Sequence, residues 1–170
     1  MVVERLEKAG AAVGTVIQMP PPELATIMKW EFKPMLEAYL AGASASRKTL
    51  AEIVEYYEAH PDTMMKYGDT YLRAALDETP GGLQGEPYLK ALEAREKAIG
   101  SVSGEISEYD AVLMAGPTSI MHFCGLPSVT VASTVKTDAG VNRTVILYGR
   151  DEYRLYEAAL TIEQEMRCLV

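Results

Sequence analysis

The sequence predicts an α/β fold in which a mixed β-sheet of about four short strands is covered by helices. Segments of helical period dominate the first 100 residues, with apolar positions on one face and charges on the other. The last third instead has short apolar, partly β-branched runs bounded by Gly, Pro, Asn and Asp, which are typical of strands. One of these runs, AVLMA at 111–115, is apolar at every position. That pattern indicates a strand covered on both faces.

The N-terminal elements are a helix and a strand. ERLEKAG (4–10) predicts a helix whose C-terminal cap is Gly10, and AAVGTVIQM (11–19) predicts a short strand that stops at the prolines of 20–22. Residues 23–41 follow with a helical pattern. Pro34 predicts a kink or break in that helix, because proline removes a backbone donor and clashes with the preceding turn.

Three more helices are predicted before the later strands. The first begins at a capping box formed by Thr49 and Glu52 and ends at Pro61, and the other two cover 69–79 and 86–100. The apolar face of the first helix has the spacing i, i+3, i+4, i+7 in Leu50, Ile53, Val54 and Tyr57.

The C-terminal elements are three strands and a helix. The strands are predicted at 111–115, 128–133 and 143–149, and the helix at 151–167. We expect one side of that helix to carry Tyr153, Tyr156, Ala159, Leu160 and Met166.

Length and composition predict one folded domain over 1–170, with 48% hydrophobic and 24% charged residues. The formal net charge of −8 and the lack of a basic stripe make a nucleic-acid or anionic-membrane partner unexpected. No apolar run reaches the roughly 20 residues of a membrane helix. The start, MVVERLEKAG, is unlike a signal peptide, so we expect a cytoplasmic protein.

The sequence indicates no metal site and no cofactor. Its two cysteines and two histidines lack the spacing of zinc ligands, so we interpret both cysteines as reduced thiols. His60 is interpreted as a helix-end residue and 42–48 as a surface loop. A Ser-x-x-Lys pair with Lys48 would need serine at position 45, where the chain has Ala45.

The segment YDAVLMAGPTSIMHFCGLPSVTV (109–131) has the most suggestive chemistry. A Cys-His pair can form an activated thiolate, and His122 and Cys124 lie two residues apart in what we interpret as an extended segment. No carboxylate that could orient the histidine is evident nearby. The alternatives are a packed loop between strands and the non-catalytic wall of a ligand site.

The sequence resembles the C-terminal third of the amidase signature family along nearly its whole length. The resemblance rests on the order and spacing of six segments: VVERLEKAGAAV, EFKPMLEAYLA, TLAEIVEYYEAHPDTMMKYGDTYL, YDAVLMAGPT, CGLPSVTV and VILYGRDEYRLYEAALTIEQ. It implies that the fold corresponds to the C-terminal part of the amidase signature fold. By this resemblance the segment that begins at the Thr of the Pro-Thr step forms a shortened pocket loop, so the substrate-pocket candidates are Thr118, Ser119, His122, Phe123 and Cys124.

The resemblance also implies that the catalytic groups lie elsewhere. Members of the family hydrolyse amides with two serines and a lysine beside a Gly/Ser-rich stretch, in the N-terminal and central parts of the family's chain. The sequence contains no Gly-Gly-Ser-Ser-Gly run, so we assign no catalytic residue. It also departs from the family pattern at Ala132, where proline is common, and at Asn142 and Thr144 in place of Pro and Gly.

Two hypotheses about function follow. In the first, the chain is the C-terminal portion of an amidase-like hydrolase, not catalytic by itself, and its partner is the missing N-terminal amidase portion. In the second, it is a stand-alone binding or oligomerisation module derived from an amidase. Because the family segment completes a sheet begun elsewhere, an unpaired strand edge and an apolar helix face are expected, and both hypotheses predict association. A homo-oligomer is the expected form if the chain is the whole protein.

Overall fold

The computed structural model describes residues 2–17, 21, 23–114 and 118–167. The chain divides into two compact units, one formed by Met1–Pro21 with Arg95–Val170 and the other by Pro22–Ala94. Folding of the two units as a single domain stays a prediction. Within the described ranges, none of the helices combines the length and the apolar character that crossing a bilayer requires.

The first unit contains a three-stranded antiparallel sheet. Its strands are β1 (Val112–Met114), β2 (Ser128–Lys136) and β3 (Asn142–Tyr148), in the order β1-β3-β2. Leu147 of the central strand lies opposite Leu113 on one side and Val129 on the other. The expectation of a mixed sheet with about four strands is therefore wrong in both respects.

The missing strand is the one predicted at 11–19. Residues 11–17 pair with no strand in the described part of the chain, and Gln18 and Met19 lie outside it. The apolar composition of this segment favours a strand, but a strand also needs a neighbour for its backbone hydrogen bonds. The segment is instead mostly exposed, with Ile17 83% accessible.

The core of the first unit lies between the sheet and the C-terminal helix (Glu152–Arg167), which packs on the sheet. Helix α1 (Val2–Lys8) packs against that helix, and its Arg5 pairs with Glu165 at 3.3 Å. The buried cluster consists of Val131, Leu147, Leu155, Ala159, Ile162 and Met166. The expected face of the C-terminal helix was wrong in part, because Tyr153, Tyr156 and Leu160 are exposed and only Ala159 and Met166 are buried.

The second unit is helical. Helices α2 (Leu24–Gly42), α3 (Leu50–Ala59), α4 (Pro61–Met64) and α5 (Thr70–Asp77) are followed by a 3₁₀ turn at Gly82–Gln84. Helix α6 (Glu86–Glu105) begins in this unit and ends in the first. Leu50, Val54 and Ala75 form a buried cluster with Leu36, Leu72 and Leu76 packed against it.

Helix boundaries in this unit follow local chemistry. The capping box is confirmed, since the Thr49 side chain accepts from the Glu52 amide and the Glu52 carboxylate accepts from the Thr49 amide. His60 is confirmed at the C-terminal end of α3, where its Nδ1 lies 2.9 Å from the Tyr56 carbonyl oxygen. Helix α2 continues through Pro34 without a break, although proline leaves the preceding turn one hydrogen bond short.

Candidate functional site

The segment that joins β1 to β2 contains a short helix, α7 (Ile120–Cys124). The expectation of an extended conformation around His122 and Cys124 is therefore wrong. The Thr118 Oγ1 accepts from the Ile120 amide at 3.2 Å, and the Ser119 carbonyl accepts from the Phe123 amide at 2.9 Å. The first bond satisfies a backbone donor that has no intrahelical partner, and the second is the first i to i−4 bond of the helix.

Helix α7 ends in a Schellman motif at Gly125. Gly125 has a φ of +67°, the Leu126 amide donates to the Met121 carbonyl at 2.8 Å, and the Gly125 amide donates to the His122 carbonyl at 3.3 Å. Glycine suits this left-handed position because it has no Cβ. The motif ends α7 three residues before β2 begins at Ser128.

The helical conformation separates His122 from Cys124. Side chains two residues apart on a helix do not face each other. Accordingly His122 is exposed, whereas Cys124 is buried with 7% of its surface accessible. Burial raises the pKa of the Cys124 thiol, and the nearby Arg95 charge offsets part of that rise. A catalytic thiolate needs the opposite environment, so the pair has neither the geometry nor the electrostatics of a nucleophile with its base.

Arg95 of helix α6 holds the end of α7. Its Nε donates to the Phe123 carbonyl oxygen at 2.6 Å, which places a cation where the helix leaves carbonyl groups unpaired. Sequence reasoning missed this role, because Arg95 lies among the alternating charges of an amphipathic helix, 28 positions before its partner. Only the tertiary structure brings the two segments together.

We expect the Cys124 thiol to react slowly in the folded protein. With Cys168 replaced by alanine, a thiol reagent such as DTNB at pH 8 should modify the native chain at least about tenfold more slowly than the urea-unfolded chain, because the thiol is buried and its pKa is raised. Raising the pH to 9 should accelerate the reaction. A native rate at pH 8 equal to that of the urea-unfolded chain at the same pH would contradict the burial of Cys124.

The five substrate-pocket candidates divide by burial. Thr118 is half-buried and Ser119 and His122 are exposed, whereas Phe123 and Cys124 are buried, so they do not share one accessible surface. A role for them in a substrate pocket stays a prediction. None of the five lines either of the two cavities, of about 760 Å³ and about 360 Å³, found among the described residues.

The larger cavity is a groove of about 760 Å³ in the first unit, beside the edge strand β1. The segment 11–16 forms one wall, and residues 108–113 form another. Gly14 fits against the Tyr109 ring, since a Cβ at Gly14 would lie 2.4 Å from the Tyr109 hydroxyl oxygen. Asp110, a carboxylate in this wall, already pairs with Arg154 at 3.2 Å. The groove therefore lies beside a strand edge that pairs with nothing in the described ranges, and its lining combines apolar side chains with the acidic Glu108 and Asp110.

The smaller cavity, of about 360 Å³, lies in the second unit among Trp30, Lys33, Glu37 and the Gly81–Leu83 turn. The Trp30 Nε1 is buried and meets no hydrogen-bond acceptor among the described residues. Across the same part of the chain, no group of three or more His, Cys, Asp or Glu side chains is placed to hold a metal ion.

Comparison with known proteins identifies the fold. Neither a protein-family model nor a curated protein sequence matches the chain. Among solved structures it is similar to an amidase family protein from Bacillus anthracis str. Ames, with a TM-score of 0.82 and 20% identity over 98% of this chain and 34% of that chain. It is also similar to the native peptide amidase from Stenotrophomonas maltophilia, with a TM-score of 0.78 and 24% identity over 98% of this chain and 38% of that chain.

The chain has the fold of an amidase fragment. It spans little more than a third of the length of the two amidases it matches. This likeness confirms the resemblance as far as a fragment of the amidase fold, and the assignment to its C-terminal part stays a prediction.

Proposed function

We propose that the chain is the C-terminal portion of an amidase-like hydrolase and is not catalytic by itself. The observation that carries this proposal is the structural match of almost the whole chain to about a third of two amidases. In the complete enzyme the reaction would be hydrolysis of an amide C–N bond. The reactive groups would come from a further portion of the enzyme.

The geometry around α7 supports the non-catalytic part of the proposal. Amide hydrolysis requires a nucleophile, a proton acceptor and oxyanion donors that converge on one cleft. Cys124 is the strongest nucleophile among the five pocket candidates, but its thiol is buried with a raised pKa and His122 lies on a different side of the helix. Under this proposal the segment 118–125 contributes shape to a pocket and no proton transfer.

The proposal is tested by assaying the purified chain for ammonia release from a panel of aliphatic, aromatic and peptide amides. We expect no release above the buffer rate, and the same result for His122→Ala and Cys124→Ala. The two variants serve as matched controls for contaminating amidases, because a contaminant would be unaffected by either change. Turnover by the chain that is abolished in Cys124→Ala would reject the proposal and establish a cysteine-dependent enzyme.

The alternative function is a stand-alone binding or oligomerisation module. It is favoured by one observation, the large apolar side chains that the chain exposes on helix α2, including Met28 at 61% and Tyr39 at 74% accessible. Isolated apolar side chains are normal on a protein surface, but a contiguous set of them marks an interaction site.

A further inference from the structure

Helix α2 exposes a continuous apolar stripe. Met28, Phe32, Met35 and Tyr39 are 61%, 41%, 61% and 74% accessible, whereas Ile27 and Trp30 of the same helix are buried. The exposed Ala25 and Gly42 extend the stripe at its two ends. We call this set, Ala25, Met28, Phe32, Met35, Tyr39 and Gly42, the α2 stripe.

The spacing of the α2 stripe is that of a helix–helix seam. Successive members are separated by alternating steps of three and four residues along the whole helix. This is the a/d pattern by which two helices pack side by side, and it is narrower than the face a helix usually presents to a globular core. The C-terminal helix has a shorter exposed set, Tyr153, Tyr156 and Leu160, which ends at polar Glu163 and Gln164.

We propose that the α2 stripe is a dimer interface, in which it packs antiparallel against the α2 stripe of a second copy of the chain. This inference rests on the alternative function proposed above, in which the chain is an oligomerisation module, and it names the surface and the partner.

The stripe is complementary to itself in one antiparallel register. When Phe32 of one copy lies opposite Met35 of the other, Met28 falls opposite Tyr39, and Ala25 falls opposite Gly42. Each methionine of one copy then lies opposite an aromatic residue of the other. A sulfur–aromatic contact contributes favourable interaction energy in addition to the burial of apolar surface. The small residues at both ends let the two helices approach closely. A C2 dimer needs such a self-complementary patch, because the same surface is used by both copies.

The area of the stripe predicts a weak dimer. At their observed exposures, the four large side chains offer on the order of 400–500 Å² per copy, if each exposes roughly 200 Å² when free. A standard stable interface buries about 800 Å² per partner. We therefore expect a dissociation constant between about 1 μM and 1 mM.

The charged residues beside the stripe do not oppose the antiparallel register. Glu31 flanks the stripe on one side, and its neighbour across the seam is the small, exposed Ala38 of the other copy. On the other side Lys29 is already paired with Glu78 at 3.0 Å, and its neighbour across the seam is the apolar Leu36. Neither Glu31 nor Lys29 therefore meets a like charge directly across the seam.

The net charge of the chain gives the dimer a salt dependence. Each copy has a formal charge of −8 at pH 7, so two copies repel each other as they approach. Salt screens this repulsion, and the packing of apolar side chains in the seam does not depend on ion pairs that salt would weaken. Added salt should therefore strengthen the dimer.

The first test is sedimentation equilibrium of the 170-residue chain from about 5 μM to 1 mM, alone and as Phe32→Glu. We expect a monomer–dimer equilibrium for the parent chain, and at least about a tenfold rise in the dissociation constant for Phe32→Glu, because a carboxylate would be buried opposite Met35. Leu160→Glu is the matched control on the exposed face of the C-terminal helix and should leave the dimer unchanged. Far-UV circular dichroism checks that both variants fold.

The second test determines whether the two α2 helices of the dimer are antiparallel. In a Cys168→Ala chain that keeps the buried Cys124, Met28→Cys and Tyr39→Cys are oxidised separately and as a mixture. The antiparallel register predicts disulfide-linked dimers chiefly in the mixture, because two copies of residue 28 would be about 16 Å apart along the helix axis. A chain that stays monomeric at 1 mM, a dimer unaffected by Phe32→Glu, or cross-linking of Met28→Cys to itself would each overturn the proposal.

Discussion

Leu147→Ala is expected to lower the free energy of unfolding by about 3 kcal/mol. Leu147 is fully buried in the central strand β3, where it contacts residues from both neighbouring strands and the C-terminal helix. The substitution removes the transfer free energy of the lost methyl groups and leaves a cavity that the sheet and helix together can close only in part. Thermal unfolding followed by circular dichroism should show a midpoint lower by about 6–12 °C.

The matched control for this change is Leu160→Ala on the C-terminal helix. Leu160 is 60% accessible, so its truncation should cost less than about 0.5 kcal/mol. Hydrogen exchange locates the destabilisation. In Leu147→Ala the backbone amides of β3 and of the C-terminal helix should exchange faster than in the parent chain. Equal destabilisation by the two variants would mean that the core of the first unit does not lie between the sheet and that helix.

Gly85→Ala is expected to destabilise the second unit by about 1–3 kcal/mol. A Cβ at this position would lie 2.7 Å from the Trp30 Nε1 and 3.0 Å from the Pro80 carbonyl oxygen. Neither atom can move away easily. The indole is a rigid ring with 5% of its surface accessible, and the carbonyl belongs to the backbone. Trp30 is the one tryptophan of the chain, so its fluorescence reports the local change directly during urea unfolding.

Gly100→Ala is a control for which the expected change in stability has the opposite sign. Gly100 lies inside helix α6, and a Cβ there would meet no atom within 4 Å. Alanine should therefore stabilise the helix by about 0.5–1 kcal/mol, the usual gain over glycine at a helix interior. A stabilised Gly85→Ala chain, with unchanged tryptophan emission, would contradict the packing of Trp30 on Gly85.

Features set by neighbouring residues could be predicted from the sequence. The capping box of Thr49 and Glu52 depends on a spacing of three residues within one turn, and it forms as expected. Gly10 has a φ of +96° just after α1, as expected of a residue that ends a helix. In both cases the stabilising contacts lie within one or two helical turns, so the local sequence determines the conformation with little influence from tertiary contacts.

Features set by distant residues could not be predicted. The segment 11–17 has the composition of a strand, but its state depends on whether another backbone lies beside it. Helix α7 is too short for its period to be recognised in sequence, and the burial of Cys124 beside Arg95 follows from that helix. The prediction for the inward face of the C-terminal helix is wrong at Tyr153, Tyr156 and Leu160 because large side chains with apolar surface recur on both faces of this helix, and only the position of the sheet decides which face is buried.

Two exposed surfaces of the chain would have different functions under the two proposals. If the chain functions as the C-terminal portion of a larger hydrolase, the groove beside β1 is the natural place for added structure, because it borders a strand edge left open within the described ranges. If the chain functions alone, the α2 stripe supplies an interface without any further segment. The groove belongs to the first unit and the α2 stripe to the second, and the two functions are tested separately.

The most direct test of the proposed function is co-expression of the chain with the product of the DNA that lies upstream of its Met1 codon. We expect that DNA to encode a Gly/Ser-rich segment preceded by a lysine, and the co-purified pair to release ammonia from amides while the chain alone releases none. Replacing the serines of that segment by alanine should abolish the release. Ammonia release by the chain alone, lost in Cys124→Ala, would contradict the proposal, as would upstream DNA that encodes no such segment.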